Sequence, residues 1–274
     1  DLYEVLRENK SKEKLMRIAT WNVNSLKARM PRVVDWVARF NPSVLCLQET
    51  KMASDAFPHS AFEEMGYESV HNGQGRWNGV AILSNVGLDN VCYGFDDGKP
   101  EDPDARIIWA TCNGVRVASA YIPNGREVGH EHYHYKLDWL SRLRSHLELN
   151  NDPSENLAIL GDFNVAPEDR DVWDINSFKG ATHVSKPERD AYFKVLDWGL
   201  IDSLRDQCPD EAGVYTFWDY RQGSFYKKMG MRIDFILPTI AMHQGIETIV
   251  VDRNARKGEK PSDHAPVVAD FSLI

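Results

Sequence analysis

The stretch Leu157–Ala158–Ile159–Leu160–Gly161–Asp162–Phe163–Asn164 places a short apolar run directly before an acidic and an amide residue. The apolar run predicts a buried β-strand. Polar residues at the end of a strand are typical of ligand sites, because a rigid sheet presents them to a cleft. Taken alone, Asp162 and Asn164 would more often form a simple Asx-turn beside Gly161. The stretch therefore predicts a strand and a first candidate site, which needs support from the rest of the chain.

The same pattern of apolar runs with polar residues at their ends recurs on both sides of this stretch. The other polar positions are Asn22, Glu49, Tyr121, Asp234, Asp263 and His264. Asp234 interrupts an apolar run, where an unpaired carboxylate would be costly, so it needs a partner such as a histidine. Singly, Glu49 would commonly pair with Lys51, and His264 would commonly be an ordinary hydrogen-bonded histidine. Jointly, these positions predict a site at one edge of a sheet.

Nine apolar runs rich in β-branched residues predict β-strands. They cover residues 17–21, 44–48, 79–83, 107–111, 115–121, 157–160, 232–237, 246–251 and 267–271. Helical periodicity follows Ser25, a predicted N-cap, recurs over residues 137–147, and covers residues 187–198 before Gly199. Strands interspersed with helices predict a mixed α/β protein. This pattern leaves open whether the strands form one sheet or two.

The chain has 274 residues, of which 42% are hydrophobic, enough for a substantial core. Because no proline- or serine-rich linker divides it, we expect residues 16–274 to form a single domain. The mixed-charge residues 1–15 are interpreted as a leader or tag-like arm.

Three observations bear on the cellular setting. Residues 1–14 lack the apolar centre of a secretory signal. No apolar run approaches the roughly 18 residues that a membrane span requires, so we expect no membrane partner. The four cysteines form no CxxC pair, which excludes a zinc ribbon. Together these features favour a reducing, cytoplasmic location.

The net charge of −9, from 32 basic and 41 acidic residues, argues against a polyanionic partner, because phosphate contacts need Lys and Arg. The objection weakens if carboxylates surround a bound cation. Carboxylates and amides without cysteine suit a hard cation such as Mg²⁺, with Mn²⁺ as a substitute, whereas zinc would want more His or Cys. Glu49 and Asp263, supported by Asn22, are the first candidate ligands.

Seven motifs follow one another along the chain. They are ATWNVNS (19–25), LQETK (47–51), WNGVAI (77–82), YIPNG (121–125), GDFNVAP (161–167), RIDFI (232–236) and SDHAP (262–266). In this order they resemble the exonuclease III family of abasic-site DNA endonucleases, within the endonuclease/exonuclease/phosphatase superfamily. The resemblance runs from about Met16 to the C-terminus. The segments 215–220 and 230–232 favour the DNA-repair branch over its phosphatase relatives.

The resemblance implies a four-layer α/β sandwich, with two packed mixed β-sheets flanked by helices and the site at one edge. It also implies hydrolysis of the phosphodiester 5′ to abasic sites in duplex DNA. Family members commonly add 3′→5′ exonuclease and 3′-phosphatase or phosphodiesterase activity. The expected partner is therefore duplex DNA with abasic sites or blocked 3′ ends, bound by a monomer.

The resemblance also implies roles for the residues at the strand ends. The candidate metal ligands are Glu49, as the main one, with Asn22, Asp162, Asn164, Asp263 and His264. Asp162 would orient and deprotonate the attacking water, and Asn164 would fix that water or the phosphate. His264 would hydrogen-bond a phosphate oxygen, with Asp234 setting its tautomer and favouring the imidazolium. Tyr121 would donate a hydrogen bond or, as phenolate, act near the leaving group.

DNA recognition is expected to rely on shape, because an abasic sugar is easier to extrude than an intact nucleotide. By resemblance, the sugar pocket is walled by Phe217, Met231 and Ile233, with Trp218 nearby, although Trp218 is also a plausible core aromatic. Met231 stands where some relatives carry tryptophan, which leaves the damage selectivity open. Asn124, Arg126 and Lys228 are candidate DNA contacts.

Two other interpretations stay open at this level. One is a phosphoesterase of the same superfamily that acts on a phosphoinositide, a lipid headgroup or RNA. The other is a descendant without catalytic activity that binds DNA or protein. The presence of Glu49, Asp162, Asp234 and His264 argues against the second interpretation, because such descendants are free to lose these residues.

Overall fold

Two β-sheets form the centre of the chain in the computed structural model, which describes residues 15–272. The strands are β1 (Met16–Asn22), β2 (Val44–Gln48), β3 (Glu68–Asn72), β4 (Val80–Ser84), β5 (Asp89–Tyr93), β6 (Ile107–Cys112), β7 (Val115–Tyr121), β8 (Leu157–Asp162), β9 (Asp234–Pro238), β10 (Ile246–Val251) and β11 (Val267–Phe271). The six-stranded sheet has the order β10-β11-β1-β2-β4-β3, and the five-stranded sheet has the order β5-β6-β7-β8-β9. Apart from Leu15, the predicted leader lies outside the described residues.

Helices begin where the sequence supplies capping residues. They are α1 (Leu26–Phe40), α2 (His59–Glu63), α3 (Glu131–Asn150), α4 (Lys186–Leu196), α5 (Ser203–Gln207) and α6 (Ile240–His243). The Ser25 hydroxyl accepts a hydrogen bond from the backbone N–H of Ala28, which confirms the predicted N-cap of α1. Ser185 and Glu188 form a capping box at the start of α4. Among residues 15–272, no helix is both long and apolar enough to cross a bilayer.

The alternation of side chains along β8 shows how the layers are built. Ala158 and Leu160 point into the core between the two sheets, where they join residues such as Ile18 of the other sheet. Ile159 points to the other face, against Trp139 of α3 and the α4 side chains. On the outer face of the six-stranded sheet, α1 packs through side chains such as Trp36 and Val37. The resulting order of helix, sheet, sheet and helix confirms the predicted four-layer α/β sandwich.

Each sheet is mixed and contains one parallel pair. β1 runs parallel to β2, and β7 runs parallel to β8. The carboxyl ends of parallel neighbours meet at the same edge, so Asn22 pairs with Gln48 and Tyr121 pairs with Asp162. The antiparallel β9 begins at this edge, with Asp234 opposite Asp162. This topology brings polar residues from distant parts of the chain to one end of the sandwich.

The structure differs from the predicted elements mainly at the periphery. β3 and β5 were not predicted. Both lie at the outside of a sheet, where β3 is mostly half-buried and β5 is mostly exposed. The predicted strand 232–237 begins two residues later, because the backbone N–H of Arg232 donates to Asp171 instead of to a neighbouring strand. β5 and β10, each the outermost strand at one end of its sheet, both carry a shift in register.

Gly161 makes close packing between β7 and β8 possible. Its φ is 153°, and a Cβ atom there would lie 1.8 Å from the carbonyl oxygen of Ala120. We expect Gly161→Ala to lower the free energy of unfolding by about 3 kcal/mol, through overpacking and backbone strain. Urea denaturation measures the change. Gly114→Asn is the control, because that glycine faces open space and Asn tolerates its positive φ. Equal stability of both variants would contradict the claim that a side chain does not fit at position 161.

Candidate active site

The amide of Asn22 joins the two sheets at the strand ends. Its Nδ2 donates to Glu49 Oε1 at 2.8 Å and to Asp162 Oδ2 at 2.9 Å. Asn22 is fully buried at the end of β1, and Asp162 is buried at the end of β8. One side chain therefore holds carboxylates of different sheets at a fixed separation.

A carboxylate–histidine pair lies next to this bridge. His264 Nδ1 lies 2.8 Å from Asp234 Oδ2, and His264 Nε2 lies 3.7 Å from Asp162 Oδ2. The Thr216 hydroxyl donates to the same Asp234 oxygen at 2.6 Å. The buried carboxylate of Asp234 thus has the histidine partner that the sequence predicts.

Three residues of this cluster present atoms suited to a metal ion. One ligand atom from each of Glu49, Asp162 and His264 lies within 4.8 Å of the others. Asp234 Oδ1 is buried and has no hydrogen-bond partner within residues 15–272. Two carboxylates without a cysteine neighbour make an oxygen-rich donor set, which fits a hard divalent cation. The residues present therefore fit a bound metal.

Glu49 is held in position by an unusual backbone. Glu49 and Lys51 both have positive φ angles, of 51° and 52°. Hydrogen bonds from the N–H groups of Thr50 and Lys51 to the carbonyls of Gly79 and Asn78 fix this turn. Lys51 Nζ lies 2.9 Å from Glu49 Oε2, so the pairing expected for an isolated Glu49 is also present. The turn therefore aims the carboxylate into the site.

Asp263 is connected to the three residues with metal-suited atoms through intervening side chains. Its Oδ1 accepts from Asn24 Nδ2 at 3.1 Å, and Asn24 Oδ1 in turn accepts from Lys51 Nζ. Asp263 does not belong to the group formed by Glu49, Asp162 and His264. The structure therefore connects it to Glu49 through other side chains.

Asn164 follows Asp162 in a tight turn. Its backbone N–H donates to Asp162 Oδ1 at 2.9 Å, which is an Asx-turn, and its φ is 51°. Its side-chain Nδ2 donates to the carbonyl of Ile122, and its Oδ1 accepts from Asn124 Nδ2. Asp162 and Asn164 therefore form the Asx-turn expected of them singly, and they also belong to the candidate site.

Tyr121 ends β7 beside a buried guanidinium. The Arg106 guanidinium lies 5.0 Å from the Tyr121 ring centroid, and its Nη1 donates to the Tyr121 carbonyl. Burial raises the pKa of Tyr121 well above its usual value, and the Glu49 and Asp162 carboxylates add to this. These effects favour the neutral hydroxyl over the phenolate.

The charged groups of the cluster shift one another's pKa values. Burial raises the pKa of Asp162, and the Asp234 and Glu49 carboxylates raise it further against the opposing effect of His264. Burial opposes a charge on His264, but Asp234 and Asp162 outweigh it and raise the pKa of this imidazole. For Glu49, Lys51 and Asn22 overcome burial and lower the pKa. The site therefore combines an ionised Glu49, a protonated His264 and an Asp162 that holds a proton more readily than usual.

Lys136 is a part of this region that the sequence did not reveal. Its fully buried Nζ donates to Glu188 Oε1 at 2.6 Å and to the backbone carbonyls of Asn124 and Asn164. The helical phase of Lys136, one turn before Leu140 on the apolar face of α3, is the signal that could have identified it.

His183 is a second such residue. It is buried with a positive φ of 79°, and its Nε2 lies 3.4 Å from Asn124 Nδ2. Burial, and after it the Lys136 ammonium, lower the pKa of His183 to about 3. A neutral histidine therefore borders the site.

An apolar wall adjoins His264. The Phe217 ring centroid lies 4.9 Å from that of His264, and Phe217 packs on a cluster that contains Met231 and Ile233. Trp218 is buried and packs against Phe225 and Ala265, which places it in the core.

The predicted DNA contacts Asn124, Arg126 and Lys228 are exposed. Arg232, by contrast, is 1% exposed and paired with Asp171 and Asp202. Its guanidinium is therefore committed to the protein interior.

Comparison with known proteins adds independent information. Residues 19–264 match the Endonuclease/Exonuclease/phosphatase family. Exodeoxyribonuclease III of Haemophilus influenzae is 33% identical over 93% of this chain and 100% of its own length. The structure is similar to that of an AP endonuclease from Archaeoglobus fulgidus, with a TM-score of 0.91 and 39% identity over 94% of this chain and 100% of that one.

A second similar structure is the 3′-5′ exonuclease NExo from Neisseria meningitidis. It has a TM-score of 0.90 and 42% identity, over 94% of this chain and 100% of that chain. A third similar structure is that of the 3′ phosphatase NExo from Neisseria bound to a product DNA hairpin. It has a TM-score of 0.90 and 41% identity, over 94% of this chain and 100% of that chain.

The Lys136–Glu188 pair generates a prediction about stability. We expect Lys136→Met to lower the free energy of unfolding by about 3–5 kcal/mol, because it leaves the Glu188 carboxylate buried without its cation. Urea denaturation followed by tryptophan fluorescence measures the loss. The control is Lys186→Met, which breaks an exposed pair with Asp190 on α4 and costs at most about 0.5 kcal/mol. Similar losses for both variants would argue against a structural role of the buried pair.

Proposed function

The chain belongs to the endonuclease/exonuclease/phosphatase family, within its exodeoxyribonuclease III and AP endonuclease group, and we propose that it is a Mg²⁺-dependent DNA-repair nuclease that cleaves duplex DNA 5′ to abasic sites. We further propose 3′→5′ exonuclease and 3′-phosphatase or phosphodiesterase activity at the same site. The observation that carries the proposal is the convergence of Glu49 and Asp162 on the Asn22 amide, beside the Asp234–His264 pair.

The metal would be held mainly by Glu49, whose lowered pKa keeps it ionised and whose turn aims it into the site. Asn22 and Asp162 would complete the near contacts, while Asn164 and Asp263 would act through the hydrogen bonds described above. The donor set is rich in oxygen, which suits Mg²⁺, and Mn²⁺ would serve as a substitute. When bound, the cation would neutralise charge on the phosphate and stabilise the departing 3′ oxygen.

Asp162 is suited to accept the proton of the attacking water. Its raised pKa means that the carboxylate binds a proton more strongly than usual, as a general base must when it takes a proton from water. The Asn164 backbone fixes one Asp162 oxygen, so the other remains oriented toward Asn22 and His264. Asn164 would hold the water or a phosphate oxygen with its own side chain. We assign the role of base to Asp162 for these reasons.

His264 is suited to bind a phosphate oxygen as an imidazolium. Asp234 fixes its Nδ1, which leaves Nε2 to face the site. The two neighbouring carboxylates favour the charged ring, and a charged ring donates a hydrogen bond. Of the three residues with metal-suited atoms, we therefore propose Glu49 and Asp162 as metal ligands and His264 as a phosphate contact. The hydroxyl of Tyr121, at the end of β7, would donate a hydrogen bond to the phosphate. His264 and Tyr121 would thus both donate to the phosphate, while Asp234 orients His264.

The apolar wall next to His264 supports recognition of a sugar without a base. Phe217, Met231 and Ile233 would contact the extruded sugar, which lacks the polar base edges of a nucleotide. Asn124, Arg126 and Lys228 are exposed and would contact the phosphate backbone, which positions the duplex without reading its sequence. Binding of one cation near two carboxylates reduces the repulsion that the net charge of −9 would otherwise cause.

Two alternatives raised by the sequence lose support. The relatives that align with more than nine-tenths of this chain are named as DNA nucleases, which disfavours a lipid, inositol or RNA substrate. The intact hydrogen-bonded cluster disfavours a descendant without catalytic activity. We also infer a monomer in the cytoplasm, because one chain supplies every residue of the cluster and its four cysteines are free thiols.

The test of the proposal is incision of a labelled duplex that contains one abasic site. With Mg²⁺ we expect a single cut that leaves a 3′-hydroxyl, whereas EDTA abolishes the cut and added Mg²⁺ restores it. The same duplex without the lesion is the control. Cleavage that is indifferent to EDTA, or turnover of inositol phosphates without incision of abasic DNA, would overturn the proposal.

A second test addresses the role of Asp162. We expect Asp162→Asn to reduce incision by about 10²–10⁴-fold, because the amide cannot accept the proton of the water. Binding of abasic DNA, measured by fluorescence anisotropy, should change only slightly. Asp190→Asn on the exposed face of α4 is the control. If DNA binding were lost in proportion to activity, the assignment of Asp162 as base would be wrong.

A further inference from the structure

A cleft of about 280 Å³ lies beside the apolar wall of the site. Its lining includes Trp173, Phe217 and Met231, together with the polar residues Asp219, Arg221 and Gln222. Phe217 and Met231 also belong to the wall next to His264. The cleft is therefore continuous with the position proposed for the sugar.

Trp173 provides an aromatic surface that the protein core leaves uncovered. It is 38% exposed, although its backbone is firmly anchored. Its N–H donates to the carbonyl of Gly230 at 3.0 Å, and the preceding residue, Val172, forms a β-bridge with Met231. The backbone thus holds an exposed indole at the mouth of a cleft, where a large apolar side chain would otherwise be unfavourable.

The chemistry of the cleft suits a nucleobase. Aromatic rings and methionines offer flat and adaptable apolar contacts, and every base has a π-face that can stack on them. The rim carries side chains with both donors and acceptors, namely Asp219, Arg221 and Gln222. Such a rim can serve any of the four base edges without selecting one of them.

An exonuclease needs such a space, whereas abasic-site incision does not. When the terminal nucleotide is removed, water adds to phosphorus, the P–O3′ bond breaks, and the nucleotide leaves with its 5′-phosphate. The sugar of that nucleotide occupies the place that an abasic sugar takes during incision, but it carries a base. An apolar wall shaped around a bare sugar leaves the base to extend beyond Met231.

We propose that the cleft between Trp173 and Met231 is a nucleobase subsite, which holds the unpaired 3′-terminal base during exonucleolytic removal. This inference rests on the proposed nuclease function and adds a binding site to it. Mismatched ends fray more readily than paired ends, so the subsite would favour their removal.

The test compares three reactions of one enzyme, because only one of them needs the subsite. The substrates are a duplex with a 3′-terminal mismatch, a duplex with an internal abasic site, and a duplex with a 3′-phosphate. We expect Trp173→Ala to slow removal of the mismatched nucleotide by roughly 5–100-fold, the size of one base–aromatic stack. Abasic incision and release of the 3′-phosphate should stay within about twofold of wild type. Trp173→Phe should retain most of the exonuclease rate, and Tyr93→Ala, which removes an exposed aromatic on β5, should leave all three rates unchanged.

Binding of a fluorescent base gives a second readout. A 3′-terminal 2-aminopurine, bound in EDTA to prevent cleavage, should be quenched by the indole in wild type and remain bright in Trp173→Ala. Equal loss of all three activities in Trp173→Ala, or unchanged exonuclease activity together with unchanged quenching, would overturn the subsite. Failure of the wild-type enzyme on all three substrates would instead overturn the proposed function, so the two failures can be told apart.

Discussion

Two carboxylates from different sheets, Glu49 and Asp162, share the two hydrogens of one buried amide, and the rest of the site depends on this bridge. Like charges in a desolvated setting repel each other, and the surrounding donors and cations offset this repulsion only in part. Lys51 lies on one side and His264 on the other. A bound cation would stabilise a site with this charge distribution, because it would offset the repulsion between the two carboxylates. This is the physical reason why the site fits metal-dependent hydrolysis.

The sequence predicted the central strands and the residues at their ends because these strands are buried on both faces. β2 and β8 are apolar along nearly their whole length, so the first polar residue marks the edge of the sheet. β3 and β5 lie at the outside, where β3 is mostly half-buried and β5 is mostly exposed, so neither shows a clear period of two. Their pairing is set by neighbours in space, which a local pattern does not contain.

Buried charges were the other feature that sequence patterns did not reveal. The partners of Lys136 and Arg232 lie 52 and 61 residues away, at Glu188 and Asp171. A lone lysine or arginine in a sequence is usually a solvated surface charge, and only its partner shows that it is buried. Both pairs hold loops next to the site. Lys136 binds the carbonyl of Asn164, and the Arg232 pairs fix the segment before β9 that carries Met231 and Ile233. Local motifs thus identified polar side chains that converge at the sheet edge, whereas they did not identify the buried charges that support them.

The shifted registers of β5 and β10 have a consequence for behaviour at high concentration. An outermost strand with regular spacing exposes a row of unused backbone donors and acceptors, which can template the strand of another molecule. In both strands the irregularity interrupts that row, between Asp89 and Cys92 in one and between Ile246 and Thr248 in the other. Edge-to-edge polymerisation is thereby discouraged at one border of each sheet.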